Sequence, residues 1–476
     1  MSNGAHSTST TTEIDLTTGR IRGTTAGGIG RFLGIPYAEP PFGELRFAAP
    51  APRAPWSGTR DATTFGPAAP QSAYPQPIGD LLASVSEWGE DILTANVWMP
   101  DGAAAAPVVI WIHGGALERG ASSLAGYDGT PFARDGIVFV SINYRLGSEG
   151  FSVLDGAPLN LGLRDAMLAL EWVHREISAF GGDPERITLM GESAGGAIVA
   201  ALLTRPESAR LVRGAIIESG PLEVQSPQKA GRVTRALAKK LGVAPTKAAF
   251  AAVPPERLLQ ARTDHAAGRG PLSGVAGFQL AADADSVPAS PAHTLADVDV
   301  PVLIGANTDE YRLWFAPEAL AKVGRLQAWV ARTALRVPRA AMRAARAAWP
   351  DATPGELLGQ LLTDVMLRGP LTTMARSRPG STHVFEFAWC SPVRELRAAH
   401  AVEIGFVFDA LSAARSLSGA EAPQALADEM HDAWVRFIAT GDPGWPVYGD
   451  GRTVRVFDTT SSTRRQPRTE IVDALA

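Results

Sequence analysis

Six short runs of this chain are apolar for nearly their whole length instead of alternating with polar residues. They lie at 107–113 (PVVIWIH), 137–145 (IVFVSINYR), 186–190 (RITLM), 214–218 (GAIIE), 301–305 (PVLIG) and 383–389 (HVFEFAW). A strand needs that character only when both of its faces are covered, and Val and Ile favour the extended backbone. Helical patterns separate the runs. Between the second and third, Met167, Leu170, Val173, Ile177 and Phe180 recur at the spacing that lines up one side of a helix. Such alternation predicts an α/β fold with a mostly parallel central sheet covered by helices. No repeat or long linker divides the chain. Residues 13–476 therefore read as one domain with inserted helical subdomains, and the polar stretch 1–12 as a disordered tail.

Composition closes several other routes. A single cysteine, Cys390, excludes an intrachain disulfide and a zinc site built on thiolates. A formal net charge of −5 gives no reason to expect nucleic acid as a partner. No run approaches the ~18 apolar residues of a membrane span, and the N-terminus lacks the basic and apolar regions of a secretory signal. The expectation is a cytoplasmic chain of open oligomeric state. Residues 321–350 stand apart, with Lys322, Arg325, Arg332, Arg336, Arg339, Arg343 and Arg346 and no acidic residue. They read as a solvated face balanced by acidic groups elsewhere. An anion- or membrane-binding helix pair is the alternative, and Pro338 argues against one long helix there.

The residues that carry chemistry begin at Gly191-Glu192-Ser193-Ala194-Gly195-Gly196, between the strand RITLM and the apolar helix AIVAALL. Gly-x-Ser-x-Gly in that setting is a nucleophile elbow, in which a turn too tight for a Cβ exposes the serine at the sheet's C-terminal edge. A serine hydroxyl needs a base, and the base needs an orienting carboxylate, in the chain order serine, acid, histidine. His265, His293, His383, His400 and His431 follow Ser193. Among them His400 is favoured, because it follows HVFEFAW, taken as the final core strand. PVLIG leads into Asp309 and Glu310, and pattern alone does not choose between these two acids. His113-Gly114-Gly115 after PVVIWI matches an oxyanion loop, with the backbone N–H groups of Gly114, Gly115 and Ala194 as donors.

Together these motifs resemble the type-B carboxylesterases, the family of bacterial para-nitrobenzyl esterases and animal cholinesterases, from about residue 16 to 458. FLGIPYAEPPFGELRF at 32–47, NYRLG at 143–147, WVHREISAFGGDP at 172–184, GESAGG at 191–196 and RGAIIESG at 213–220 carry the resemblance. It implies an α/β-hydrolase fold with helical subdomains over the active site and no metal or organic cofactor. It also implies Glu310 as the acid, His400 as the base and Ser219 as the acid's support. Arg46 and Glu90 match a structural ion pair of the family. Ala69 and Ile92 stand where the family often has a disulfide. Glu218 replaces a commoner glutamine or methionine, and its carboxylate is expected to raise the base's pKa. Trp88, Leu117, Phe278 and Trp314 are the candidate substrate-pocket residues.

The activity implied is hydrolysis of small, uncharged carboxylic esters through an acyl-enzyme. Carbamate or amide hydrolysis, or a catalytically silent partner-binding role on the same fold, are the alternatives. Since Cys390 has no intrachain partner, dithiothreitol should leave the thermal midpoint and any esterase activity unchanged. A lowered midpoint in a melting assay would refute this.

Overall fold

In the computed structural model, which describes residues 10–85, 87–267, 277–378 and 382–475, one sheet of 13 strands runs through the molecule. The strands are β1 (Thr10–Leu16), β2 (Gly19–Ala26), β3 (Ile29–Pro36), β4 (Thr59–Asp61), β5 (Thr94–Pro100), β6 (Ala106–Ile112) and β7 (Val138–Ile142), followed by β8 (Gly182–Glu192), β9 (Gly214–Glu218), β10 (Val302–Asn307), β11 (Thr382–Phe387), β12 (Thr453–Phe457) and β13 (Ser462–Arg465). Their order across the sheet is β1-β2-β3-β5-β7-β6-β8-β9-β10-β11-β12-β13, with β4 beside β2. From β7 to β12 every neighbouring pair is parallel; β1, β2, β3, β5 and β13 add antiparallel edges, and β4 lies parallel to β2. All six apolar runs lie in the parallel part, where β7, β9, β10 and β11 are buried along their whole length.

Helices cover the sheet. The helices that matter below are α1 (Leu161–Glu176), α2 (Ala194–Leu203), α3 (Arg325–Ala334), α4 (Arg339–Ala348), α5 (Pro354–Thr363) and α6 (Gln424–Thr440). The apolar stripe falls on α1 and the 3-10 turn after it, where Leu170, Val173, Ile177 and Phe180 are buried and Met167 is partly so. Among the described residues no helix is long and apolar enough to cross a membrane.

Three expectations change. Thr10, Thr11 and Thr12 are not tail but strand, pairing with Thr25, Thr24 and Gly23; β-branched threonines suit the pleated backbone as well as a polar tail does. The rest of that tail lies outside the described residues. HVFEFAW is not the last core strand, because β12 lies parallel beyond β11. Its TVRVF is only partly buried and carries no continuous apolar run. Arg46 pairs with Glu149, through Nε and Nη2 at 3.0 and 2.5 Å, and not with Glu90. Glu149 is buried and needs a cation, whereas the exposed Glu90 is solvated by water. The positions of the absent disulfide, Ala69 and Ile92, are packed in the core.

A second buried pair ties β7 to α1. Arg145 Nη2 lies 2.6 Å from Asp165 Oδ1, Arg145's N–H donates to Asp165 Oδ2 at 2.9 Å, and its Nη1 donates to the Ala48 carbonyl at 2.7 Å. Both side chains are shut away from solvent. Asp165→Asn leaves the guanidinium buried without its counter-charge, and urea unfolding should show a loss of about 3–5 kcal/mol.

Candidate active site

β8 ends in a turn that few residues can make. Ser193 has φ 55° and ψ −121°, outside the regions an L-residue adopts without strain. Its N–H donates to the Glu218 carbonyl on β9 at 2.8 Å, and α2 begins at the next residue. The flanking glycines are required by space. A Cβ on Gly195 would lie 1.9 Å from the Ile112 carbonyl oxygen, and one on Gly191 2.6 Å from the Gly195 carbonyl carbon. Ser193 is half-buried rather than exposed, because the loop after β6 closes on it. A Cβ on Gly114 would meet Ser193 Cβ at 3.1 Å and Glu192 Oε2 at 2.5 Å.

That loop is itself contorted, with φ of 115° at Gly115, 57° at Ala116 and 61° at Leu117. His113 anchors it. Burial pushes this imidazole's pKa down to about 4, so it is neutral, and its Nδ1–H donates to the Gly114 carbonyl at 2.8 Å. Tyr144 stacks on the ring, and its hydroxyl donates to the His113 carbonyl at 2.8 Å. Gln71 bonds both the N–H and the carbonyl of Gly120, fastening the far side of the loop. Among the described residues no protein acceptor takes the N–H of Gly114, Gly115 or Ala194.

Glu310 and His400 arrive from the next strands of the sheet. Glu310 starts the 3-10 turn after β10. Its Oε1 accepts from Ser219 Oγ at 2.6 Å and from the Asn307 N–H at 2.7 Å, while Oε2 lies 2.5 Å from His400 Nδ1. Asp309 turns the other way, where its Oδ1 accepts from Gln360 Nε2 on α5 at 2.6 Å. The two adjacent acids are thus separated by geometry. Two other candidate histidines are engaged elsewhere: His383 Nδ1 meets the Trp445 carbonyl, and His431 lies between the Val407 carbonyl and Asp135.

His400 Nε2 does not meet Ser193 Oγ in this arrangement. It lies 2.9 Å from Glu192 Oε1, close enough for charge attraction but out of line for a hydrogen bond. Burial alone would lower the pKa of His400; the charges of Glu192 and Glu310 outweigh it and hold the ring well above its usual value. Glu192, the variable position of the elbow motif, was not singled out from the sequence.

Two further carboxyls lie close by in the interior. Burial pushes Glu218 up to about 8, and the side chain accepts from Trp434 Nε1 on α6 at 3.0 Å. It is mostly protonated at neutral pH and supplies no charge to the histidine; Glu192 does what was expected of it. Glu403 is also held well above the carboxylate range by burial and by the charges of Glu192 and Glu310, and Asn307 Nδ2 donates to it. Its only sequence signal was the His-x-x-Glu spacing from His400.

Of the pocket candidates, Trp314 stands against the His400 ring, with centroids 4.7 Å apart. Leu117 lies on the contorted loop, and the next residue, Glu118, accepts the Phe278 N–H at 3.4 Å. Trp88 bridges Ala68 through its backbone and, among the described residues, makes no ring contact or hydrogen bond to this cluster. No trio of His, Cys, Asp or Glu among the described residues is grouped to hold a metal ion.

Comparison with known proteins agrees with this architecture. The chain is 34% identical over 479 residues to the para-nitrobenzyl esterase of Bacillus subtilis (strain 168), covering 95% of this chain and 96% of that one. It is 34% identical over 463 residues to the phenmedipham hydrolase of Pseudarthrobacter oxydans, covering 91% and 92%. Among solved structures, a carboxylesterase of Geobacillus stearothermophilus superimposes with a TM-score of 0.86 at 33% identity, over 98% of this chain and 100% of that one. The pattern of the carboxylesterase family matches residues 10–468. The chain is a carboxylesterase-family enzyme with the α/β-hydrolase fold.

Proposed function

We propose that this enzyme hydrolyses small, uncharged carboxylic esters by acyl transfer through Ser193, His400 and Glu310. The observation that carries the reading is the unbroken relay from Ser219 through Glu310 to His400, which ends beside the strained Ser193 turn. Ser193 Oγ attacks the ester carbonyl as neutral His400 takes its proton at Nε2. The carbonyl π pair moves onto oxygen, and the N–H groups of Gly114, Gly115 and Ala194 receive that anion. The carbonyl re-forms, the C–O bond to the alcohol breaks, and the imidazolium protonates the leaving alkoxide. Water then repeats the sequence on the acyl-enzyme and releases the acid. Glu310 holds the Nδ1–H tautomer and stabilises the imidazolium, as the triad requires.

A second reading, cleavage of carbamates by the same steps, is favoured by the similarity to phenmedipham hydrolase. The two differ only in the nitrogen beside the carbonyl. Matched ester and carbamate substrates compared by kcat/KM decide between them.

Ser193→Ala and His400→Ala should each lower kcat by about 10⁴-fold or more, with the double variant little worse, because members of one triad are strongly non-additive. Asp309→Asn should be far milder than Glu310→Gln. Paraoxon should label one peptide, the one containing Ser193. A His400→Ala enzyme that keeps a substantial share of kcat, or a label elsewhere, overturns the assignment.

The pH dependence follows from the carboxylates around the base. Only neutral His400 can accept the serine proton, so activity should rise with pH through an apparent pKa above the ordinary ~6.5 of histidine. Glu192→Gln removes one of the two charges holding that value up and should move the limb to lower pH in a kcat/KM profile. Glu218→Gln should leave the limb in place.

A further inference from the structure

The basic segment 321–350 takes no part in the proposed reaction. Among the described residues, none of Lys322, Arg325, Arg332, Arg336, Arg339, Arg343 and Arg346 forms an ion pair. α3 has no buried residue at all. Leu326, Trp329 and Val330 on it are 73%, 56% and 53% exposed, and they make up half of the large hydrophobic side chains that the described residues expose. A helix of that composition is not held in place by burying its own apolar side chains.

Beneath it lies a cleft of about 650 Å³, between α3, α4 and the first turns of α5. That volume is in the roughly 300–1,000 Å³ range of small-molecule sites. Arg325, Arg332 and Arg346 line it together with Trp329 and Trp349, Leu357 is part of its buried floor, and among the described residues no carboxylate lines it. Arg325 is the first residue of α3, where the helix dipole opposes a cation unless an anion sits beside it.

We infer that this cleft binds an amphipathic carboxylate, a single anionic head on an aliphatic or aromatic body. The guanidiniums take the carboxylate, and the indoles and Leu357 cover the apolar part. A bare inorganic anion would leave the tryptophans uncovered, and a neutral lipid would leave the arginines unpaired. A flat bilayer surface does not reach a floor that is buried at Leu357 and Leu358. The site is separate from the catalytic one: the same α5 that floors the cleft turns Gly359 and Gln360 toward Tyr311 and Asp309.

Decanoate, kept below the concentration at which it forms micelles, is the probe. Calorimetric titration of the full chain should show saturable binding that weakens as ionic strength rises. Arg332→Gln/Arg346→Gln should weaken it about tenfold or more through the lost charge-assisted bonds. The double variant should keep its thermal midpoint and its turnover of a small neutral ester, because neither arginine holds another charged group. Trp314→Ala, beside His400, should leave the cleft affinity unchanged and so separates this site from product binding at the active site. Decanol should bind much more weakly than decanoate. The inference fails if decanoate binds the double variant as tightly as the parent, if decanol matches decanoate, or if only vesicles containing phosphatidylglycerol bind and monomeric decanoate does not.

Discussion

Everything at this site depends on how closely two stretches of backbone approach each other. The end of β6 and the turn after β8 meet with so little space that a single methyl group on Gly195 would enter the Ile112 carbonyl. That contact brings Ser193 up beside Gly114, and among the described residues no protein acceptor takes the N–H groups of Gly114, Gly115 and Ala194. It is fixed from behind by β6 and β8 being neighbours in a parallel ladder whose hydrogen bonds set their offset. Glu310 and His400 come from the end of β10 and the chain after β11, so one edge of one sheet supplies every group of the proposed triad.

The second constraint is electrostatic. Four glutamates, Glu192, Glu218, Glu310 and Glu403, are buried near one imidazole, and they cannot all be ionised in so dry a place. The structure resolves the conflict by position. Glu310 has three donors and Glu192 stands against the ring, whereas Glu218 and Glu403 are driven toward their neutral forms. Burial favours the neutral forms of that pair, and the charges that act on the ring are those of Glu192 and Glu310. Because the imidazole contacts both charged groups, its proton affinity reports on the whole cluster.

The parallel strands were legible because strands covered on both faces must be apolar throughout, and burial supplies that signal without reference to the rest of the fold. The elbow was legible because its glycines are demanded by space. The choice between Asp309 and Glu310 was not, since one residue's rotation within a 3-10 turn separates an acid facing His400 from one facing Gln360. Glu192 escaped notice because the motif leaves its position free, yet the peptide next to a strained serine has few directions in which to send a side chain. Arg46 was given the wrong partner for a related reason. Charge pairing is set by which carboxylate is buried, and Glu149 and Glu90 look alike in a string of letters.

The left-handed backbone at Ser193 has a consequence for how this architecture changes over time. A serine at φ 55° is strained in a way a glycine is not, and strain of this kind amounts to about 1–3 kcal/mol. A Ser193→Gly step, which would remove the proposed nucleophile, therefore also relaxes the turn, so that this particular loss is downhill in local strain. Lineages that no longer need the reaction can drop it in one substitution and become more robust scaffolds for other uses. A chain that still has serine in that conformation has kept a locally unfavourable arrangement against a thermodynamic gradient, which selection for turnover would oppose.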